Sequence, residues 1–178
     1  EILWRHSERT DPGDLEGQLL SVTEQLLHRA HDARVIGIGV GVPGTVDPVT
    51  GVVWNAPALG KRDFNVIELL KERFQLPVVV ENDVNLAAVG EHWRGAARGA
   101  QNAVCISIGT GIGAGLIIGG GLYRGSHNLA GEVGYFFFGN RPPDTPLDGF
   151  GDLESRASGW GIRQRALHEL GRVNASSP

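Results

Sequence analysis

Apolar positions recur along this chain in two rhythms, and the alternation between them predicts its elements. After Asp14, a side chain able to cap a helix, Leu15, Leu19, Val22, Leu26 and Leu27 share one helical face, which predicts an amphipathic helix to about residue 30. Residues 35–42 (VIGIGVGV) are then almost continuously apolar and are stopped by Pro43-Gly44, as in a strand buried on both faces. A turn-rich stretch at 45–62 holds a short strand at 52–54. A helix at about 65–74 and a buried strand at 78–80 complete a second α-then-β unit, and a third helix is predicted from Asp83 to about Trp93. Downstream the pattern changes to strand after strand: 103–108, a glycine turn at 109–115, 116–118, a hairpin at 119–121, and 122–124. Residues 139–151 read as loop, and a final helix runs from about Asp152 with a break near Ser158-Gly159. Residues 1–10 read as a further strand. The small-residue connector at 94–99 separates an α/β lobe at 1–100 from a second at 101–178.

Composition narrows the class. With 41% hydrophobic and 20% charged residues among 178, and a formal charge of -4, the chain has the apolar content to build a core. The 16 Lys and Arg are interspersed with 20 Asp and Glu and form no continuous basic face, so nucleic acid is not an expected partner of these residues. The single cysteine, Cys105, lies in an apolar strand and excludes an internal disulfide and a thiolate metal cage. The opening residues lack the basic start and apolar centre of a secretory signal, and no apolar run nears the roughly 20 residues of a membrane span. A cytoplasmic location is expected.

Several short patterns could carry chemistry. Gly39-Val-Gly-Val-Pro-Gly44 fits a dinucleotide fingerprint by its letters, but Thr45-Val-Asp-Pro48 cannot open the helix that a pyrophosphate site needs. Gly109-Thr110-Gly111-Ile-Gly113-Ala-Gly115 sits between two strands and lets backbone amides approach an anion, although the same residues also make an ordinary tight turn. Glu81-Asn82-Asp83 lies where a strand passes into a helix, the edge at which open α/β sheets present ligand contacts; Asp83 could equally be a helix cap. Glu132, among small residues, is either a site acid or a solvated carboxylate. The six histidines form no metalloprotease pattern, and no serine-nucleophile elbow is present.

Taken in order, Gly37-Ile-Gly-Val-Gly-Val-Pro-Gly-Thr-Val-Asp47, Glu81-Asn-Asp-Val-Asn-Leu-Ala-Ala-Val-Gly-Glu91, Gly109-Thr-Gly-Ile-Gly-Ala-Gly115 and Tyr123-Arg-Gly-Ser-His-Asn-Leu-Ala-Gly-Glu-Val-Gly134 closely resemble the ROK family of sugar kinases and sugar-responsive repressors. The resemblance covers nearly the whole chain. It implies part of an actin-like, hexokinase-type (ribonuclease H-like) α/β fold whose two lobes close on sugar and ATP. It also implies Asp83 as the base for the sugar hydroxyl, with Asn82, Glu132, Asn55, Gly44 and Glu154 on the sugar side. Gly109, Thr110, Gly111 and Gly113 would receive nucleotide phosphates, with Mg2+ accompanying ATP. The alternative within the family is the sugar-binding effector domain of a transcriptional regulator.

Two departures qualify the resemblance. The positions matching the family's zinc ligands hold Tyr135, Thr145, Leu147 and Asp152, so no zinc is expected. Tyr135, standing where the family has a sugar-touching histidine, makes sugar preference an open matter. The family's first phosphate loop and its adenosine-contacting region have no counterpart in these residues, so the 178-residue chain by itself is expected to transfer no phosphoryl group. The expected assembly is a homodimer.

Overall fold

A computed structural model describes residues 2–31, 33–56, 59–139 and 150–175. It contains two compact units, Glu1–Asp83 and Val84–Pro178. The division falls at the start of the third helix, upstream of the 94–99 connector, so that helix groups with the second unit.

In the first unit, α1 (Leu15–Arg29) begins as its sequence dictates: the Asp14 carboxylate accepts the Gly17 N–H at 3.1 Å. β1 (Ile38–Val42) lies parallel to β5 (Val78–Asn82), with Val42 opposite Asn82. Between them, β2 (Thr45–Val46), β3 (Val52–Ala56) and β4 (Lys61–Asn65) form an antiparallel sheet in that order. The turn joining β2 to β3 is built by Asp47, whose Oδ1 accepts the Val49 and Thr50 amides at 2.9 and 3.3 Å. The Val49 amide first, and the Thr50 side chain next, hold the Asp47 carboxyl below its ordinary value. α2 (Val66–Phe74) is capped by Asn65, which accepts the Glu68 N–H at 3.0 Å, and is closed by Gln75 in a left-handed conformation. The apolar sides of these elements meet in one core of Val42, Val46, Val53, Val66, Leu70, Val78 and Val80, with Leu19 and Leu20 of α1 packed against it.

Three expectations fail here. Residues 2–10 form no strand; among the described residues no neighbouring strand pairs with them, and Trp4 instead stacks on His6 beneath the Arg29 guanidinium, 3.6 Å from its ring centre. The stretch at 45–62 holds two strands and the start of a third, where the sequence predicts a single short strand at 52–54. β1 is covered on one face alone, since Gly39 and Gly41 are exposed, as is Val79 beside them on β5.

The second unit opens with α3 (Asp83–Arg94), followed by the antiparallel meander β6 (Ala103–Ile108), β7 (Ile112–Ile118) and β8 (Gly121–Tyr123). The β7–β8 hairpin turns through Gly119 and Gly120, at φ 60° and 82°, two positive values that favour glycine. A 3-10 turn at Val133–Tyr135 precedes α4 (Asp152–Ala157) and α5 (Gly159–Ala175). The break between these helices is fixed by Ser158, fully buried, whose hydroxyl accepts the Gly161 N–H at 3.1 Å. None of the helices among the described residues is long and apolar enough to cross a membrane.

Leu70 is fully buried at the centre of the first core. Truncating it to alanine is expected to cost about 2–5 kcal/mol, read as a lowered urea midpoint at unchanged slope. A loss below about 1 kcal/mol would show that this core is not a close-packed one.

Candidate functional site

The parallel pairing of β1 with β5 brings their carboxyl ends side by side, and the first cluster of polar groups forms there. Asn82 closes β5. Its backbone N–H is held by the buried Glu81 carboxylate at 2.9 Å, and its side-chain amide donates to the Gly44 carbonyl at 3.0 Å. Gly44 has φ 107°, and a Cβ there would run into the Asn55 carbonyl, so glycine lets the chain leaving β1 lie directly on β3. Asn55 faces Thr45 across the β2–β3 ladder. Gly44, Asn55 and Asn82 are therefore neighbours, and Asp83 follows as the first residue of α3.

A second cluster lies wholly within the other unit. The turn between β6 and β7 comprises residues 109–111, closed by the Gly109 N–H donating to the Gly111 carbonyl at 2.9 Å. Gly113 and Gly115, expected in the loop, are instead inside β7, opposite Ser107 and Cys105. Their missing side chains admit α3: a Cβ at Gly113 would sit 3.3 Å from Val84, and one at Gly115 would overlap Ala88. Gly113 is a packing position in this structure.

The turn itself is gripped from outside. The Gly159 N–H donates to the Gly109 carbonyl at 2.8 Å and the Trp160 N–H to the Thr110 carbonyl at 3.3 Å. The Thr110 hydroxyl and the amides of Thr110 and Gly111 take no partner among the described residues, so they are the donors an anion would meet. That donor set fits a nucleotide phosphate. Mg2+ is ordinarily carried on phosphate oxygens with one or two carboxylates, so a dedicated protein cage is not required.

Glu132 enters this cluster through Gly131, whose carbonyl accepts the Ala114 N–H at 2.8 Å and pins the segment to β7. Tyr135 lies one 3-10 turn on. Burial first, then the charges of Glu132 and Glu154, push its phenol above the ordinary tyrosine value. Glu154, on α4, accepts the Ile112 N–H at 2.8 Å and the Gly151 N–H at 3.0 Å. Sequence patterns gave no sign of this use of Glu154, because the partner is a main-chain group 42 positions away.

Asp152, at one of the positions that match the family's zinc ligands by resemblance, is buried and accepts both the Phe138 N–H at 2.9 Å and the Arg156 Nε–H at 3.1 Å. Thr145 and Leu147 lie outside the described residues. No group of three or more His, Cys, Asp or Glu among the described residues could hold a metal ion.

The family model for the ROK family matches residues 1–177. This chain belongs to the ROK family. A glucokinase from Halalkalibacterium halodurans is 39% identical over 142 residues, spanning 78% of this chain and 42% of that protein. A putative xylose repressor from Caldicellulosiruptor is 34% identical over 176 residues, spanning 96% of this chain and 43% of its own length. Among solved structures, a ROK glucokinase from Streptomyces griseus, in complex with glucose and AMPPNP, superposes with a TM-score of 0.74 at 35% identity, covering 94% of this chain and 52% of that one. The chain thus spans about half the length of the ROK proteins it matches, and its α/β architecture is part of their actin-like, hexokinase-type fold.

The raised Tyr135 value has a defined sign. The folded protein holds the phenolic proton more tightly than the unfolded chain, so the associated stability is full below about pH 10 and is lost as pH rises through the folded value. In a spectrophotometric titration, the component removed by Tyr135→Phe is expected to ionise above pH ~10. Ionisation at or below that value would contradict the burial and charge environment described.

Proposed function

We propose that this protein is an ATP-dependent kinase of a hexose or N-acetylhexosamine, with Asp83 as its general base. The observation that carries the reading is the placement of Asp83: an acid at the carboxyl end of a parallel strand, next to an asparagine whose amide is anchored on the Gly44 carbonyl. In this reading the sugar side takes Gly44, Asn55 and Asn82 and, on the family resemblance, Glu132, Tyr135 and Glu154. The Asp83 carboxylate accepts the proton of the reacting hydroxyl as its oxygen bonds to the γ-phosphorus. The bond from that phosphorus to the bridging oxygen breaks, and ADP carries away the electron pair. Gly109, Thr110 and Gly111 receive the phosphates; Gly113 supports them by keeping β7 close to α3. Bound Mg·ATP supplies the phosphoryl group and the charge neutralisation. The same reading makes the protein a cytoplasmic homodimer acting on a free sugar, with no nucleic acid held through these residues.

A second reading has its own support, since the xylose repressor matches more of the chain than the glucokinase does. There the same polar clusters would sense a sugar without transfer. The retained Asp83 favours the kinase.

The test is ADP release with Mg·ATP over a panel of hexoses and N-acetylhexosamines, using the full-length protein. Asp83→Asn is expected to lower kcat by roughly 10²- to 10⁴-fold while sugar affinity stays within a few-fold. Sugar binding without turnover in the unaltered protein would overturn the kinase in favour of the sensor. The 178-residue chain assayed by itself is expected to show no turnover, and measurable transfer by it would show that the phosphate-binding parts it lacks are dispensable.

A further inference from the structure

The 3-10 turn at Val133–Tyr135 and the start of α4 lie main chain against main chain: a Cβ at Gly151 would overlap the Gly134 carbonyl, and one at Gly134 would overlap Glu154 Cγ. Beyond Tyr135 the chain continues through Phe136, Phe137 and Phe138, whose side chains are all more than half exposed, so apolar burial does not hold it. The fastening comes from Asp152. This carboxylate is 5% exposed, and its Oδ2 accepts the Phe138 N–H at 2.9 Å, a bond that spans 14 positions. Its Oδ1 accepts the Arg156 Nε–H at 3.1 Å, one turn further along α4. The pairing neutralises a charge whose burial would otherwise be costly. Gly139, at φ 146°, lies beside the same guanidinium, and a Cβ there would sit 3.3 Å from Arg156 Nη2. The segment 135–138 is thus fastened at both ends to one helix, and that helix carries Glu154 two positions after Asp152.

We propose that Asp152 is a positioning residue for the sugar side of the site: through the Phe138 amide it fixes the segment bearing Tyr135 against the helix bearing Glu154. The inference deepens the sugar-site reading above and rests on it, whether the sugar is phosphorylated or only sensed. Asp152 itself needs no contact with the ligand. Tyr135 is half-buried and its phenol feels the charges of Glu132 and Glu154, so its placement depends on where the segment lies relative to both acids. A tether three residues on limits how far that ring can swing. The acceptor and the charge of Asp152 are separable. An asparagine keeps an oxygen for the Phe138 N–H and gives up the charge facing Arg156, whose half-exposed side chain can turn to water. An alanine loses both. The resemblance places zinc ligands at the positions of Tyr135 and Asp152; here a hydrogen bond and an ion pair join the same two segments.

The experiment is calorimetric titration of the full-length protein with each member of the hexose and N-acetylhexosamine panel, comparing the unaltered protein with Asp152→Ala, Asp152→Asn and Phe138→Pro. Hydrogen exchange at the Phe138 amide is followed in the first three, and Tm in all four. Asp152→Ala is expected to weaken the sugar that binds the unaltered protein roughly tenfold and to accelerate Phe138 exchange. Phe138→Pro, which deletes the donor and leaves the ion pair, is expected to weaken it as much, so the test survives if the alanine variant fails to fold. Asp152→Asn is expected to lower Tm by a few degrees yet keep sugar affinity within about twofold and Phe138 exchange slow. A merely structural aspartate would not separate those readouts. Sugar affinity unchanged in folded Asp152→Ala and Phe138→Pro would overturn the proposal, as would equal losses in Asp152→Asn and Asp152→Ala. So would a fall in Tm or faster Phe138 exchange when EDTA is added to the unaltered, nucleotide-free protein, which would show that a metal and not Asp152 holds the segment. If no sugar of the panel binds the unaltered protein, the sugar-site reading itself fails and the proposal falls with it.

Discussion

Main chain packed directly against main chain is the constraint on which both polar clusters depend. At Gly44 a side chain would collide with the Asn55 carbonyl, and at Gly134 with the Ile112 carbonyl; in each case the neighbouring segment carries a residue of the candidate site. Removing the side chain costs conformational entropy in the unfolded chain, about 0.5–1 kcal/mol relative to alanine in regular structure. What it permits is a site whose polar groups are held by hydrogen bonds to carbonyls and amides. Asn82 on the Gly44 carbonyl and Glu154 on the Ile112 amide are the two clearest cases.

This explains why the chemistry sits where apolar packing stops. Beyond the core residues Val42 and Val80 the next positions are Glu81 and Asn82, which end β5, and Asp83, which opens α3. Glu81, buried, uses its carboxylate on the Asn82 amide, so even the acid that faces inward serves to hold a neighbour. In the second unit Ile112 and Ala114 are buried, while Thr110, two residues earlier, stays exposed at the turn. Apolar burial makes the platform rigid, and the ends of its strands present the polar groups.

Much of this was legible in the residues. Asp14 and Asn65 cap the helices that follow them, the strand at 103–108 has the bounds its apolar run indicates, and the order of motifs named the family. What escaped was whatever depended on a distant partner. β4 is Lys-Arg-Asp-Phe-Asn, a segment without strand alternation that becomes a strand by pairing with β3. Gly113 reads as loop among its sister glycines, yet its role is set by Val84 across the packing interface. The strand expected at 1–10 needs a neighbour that the described residues do not supply. Periodicity reports which side of an element is apolar, but not which segment will lie against it.

The central claim is that these residues serve phosphoryl transfer to a sugar. It is met most directly by incubating the full-length protein with γ-labelled Mg·ATP and each candidate sugar, and following the label by phosphorus NMR. The account predicts that label appears as a sugar phosphate in step with ADP and that Asp83→Asn slows both by roughly 10²- to 10⁴-fold. Label released as inorganic phosphate, or retained in ATP while the sugar is demonstrably bound, would contradict it.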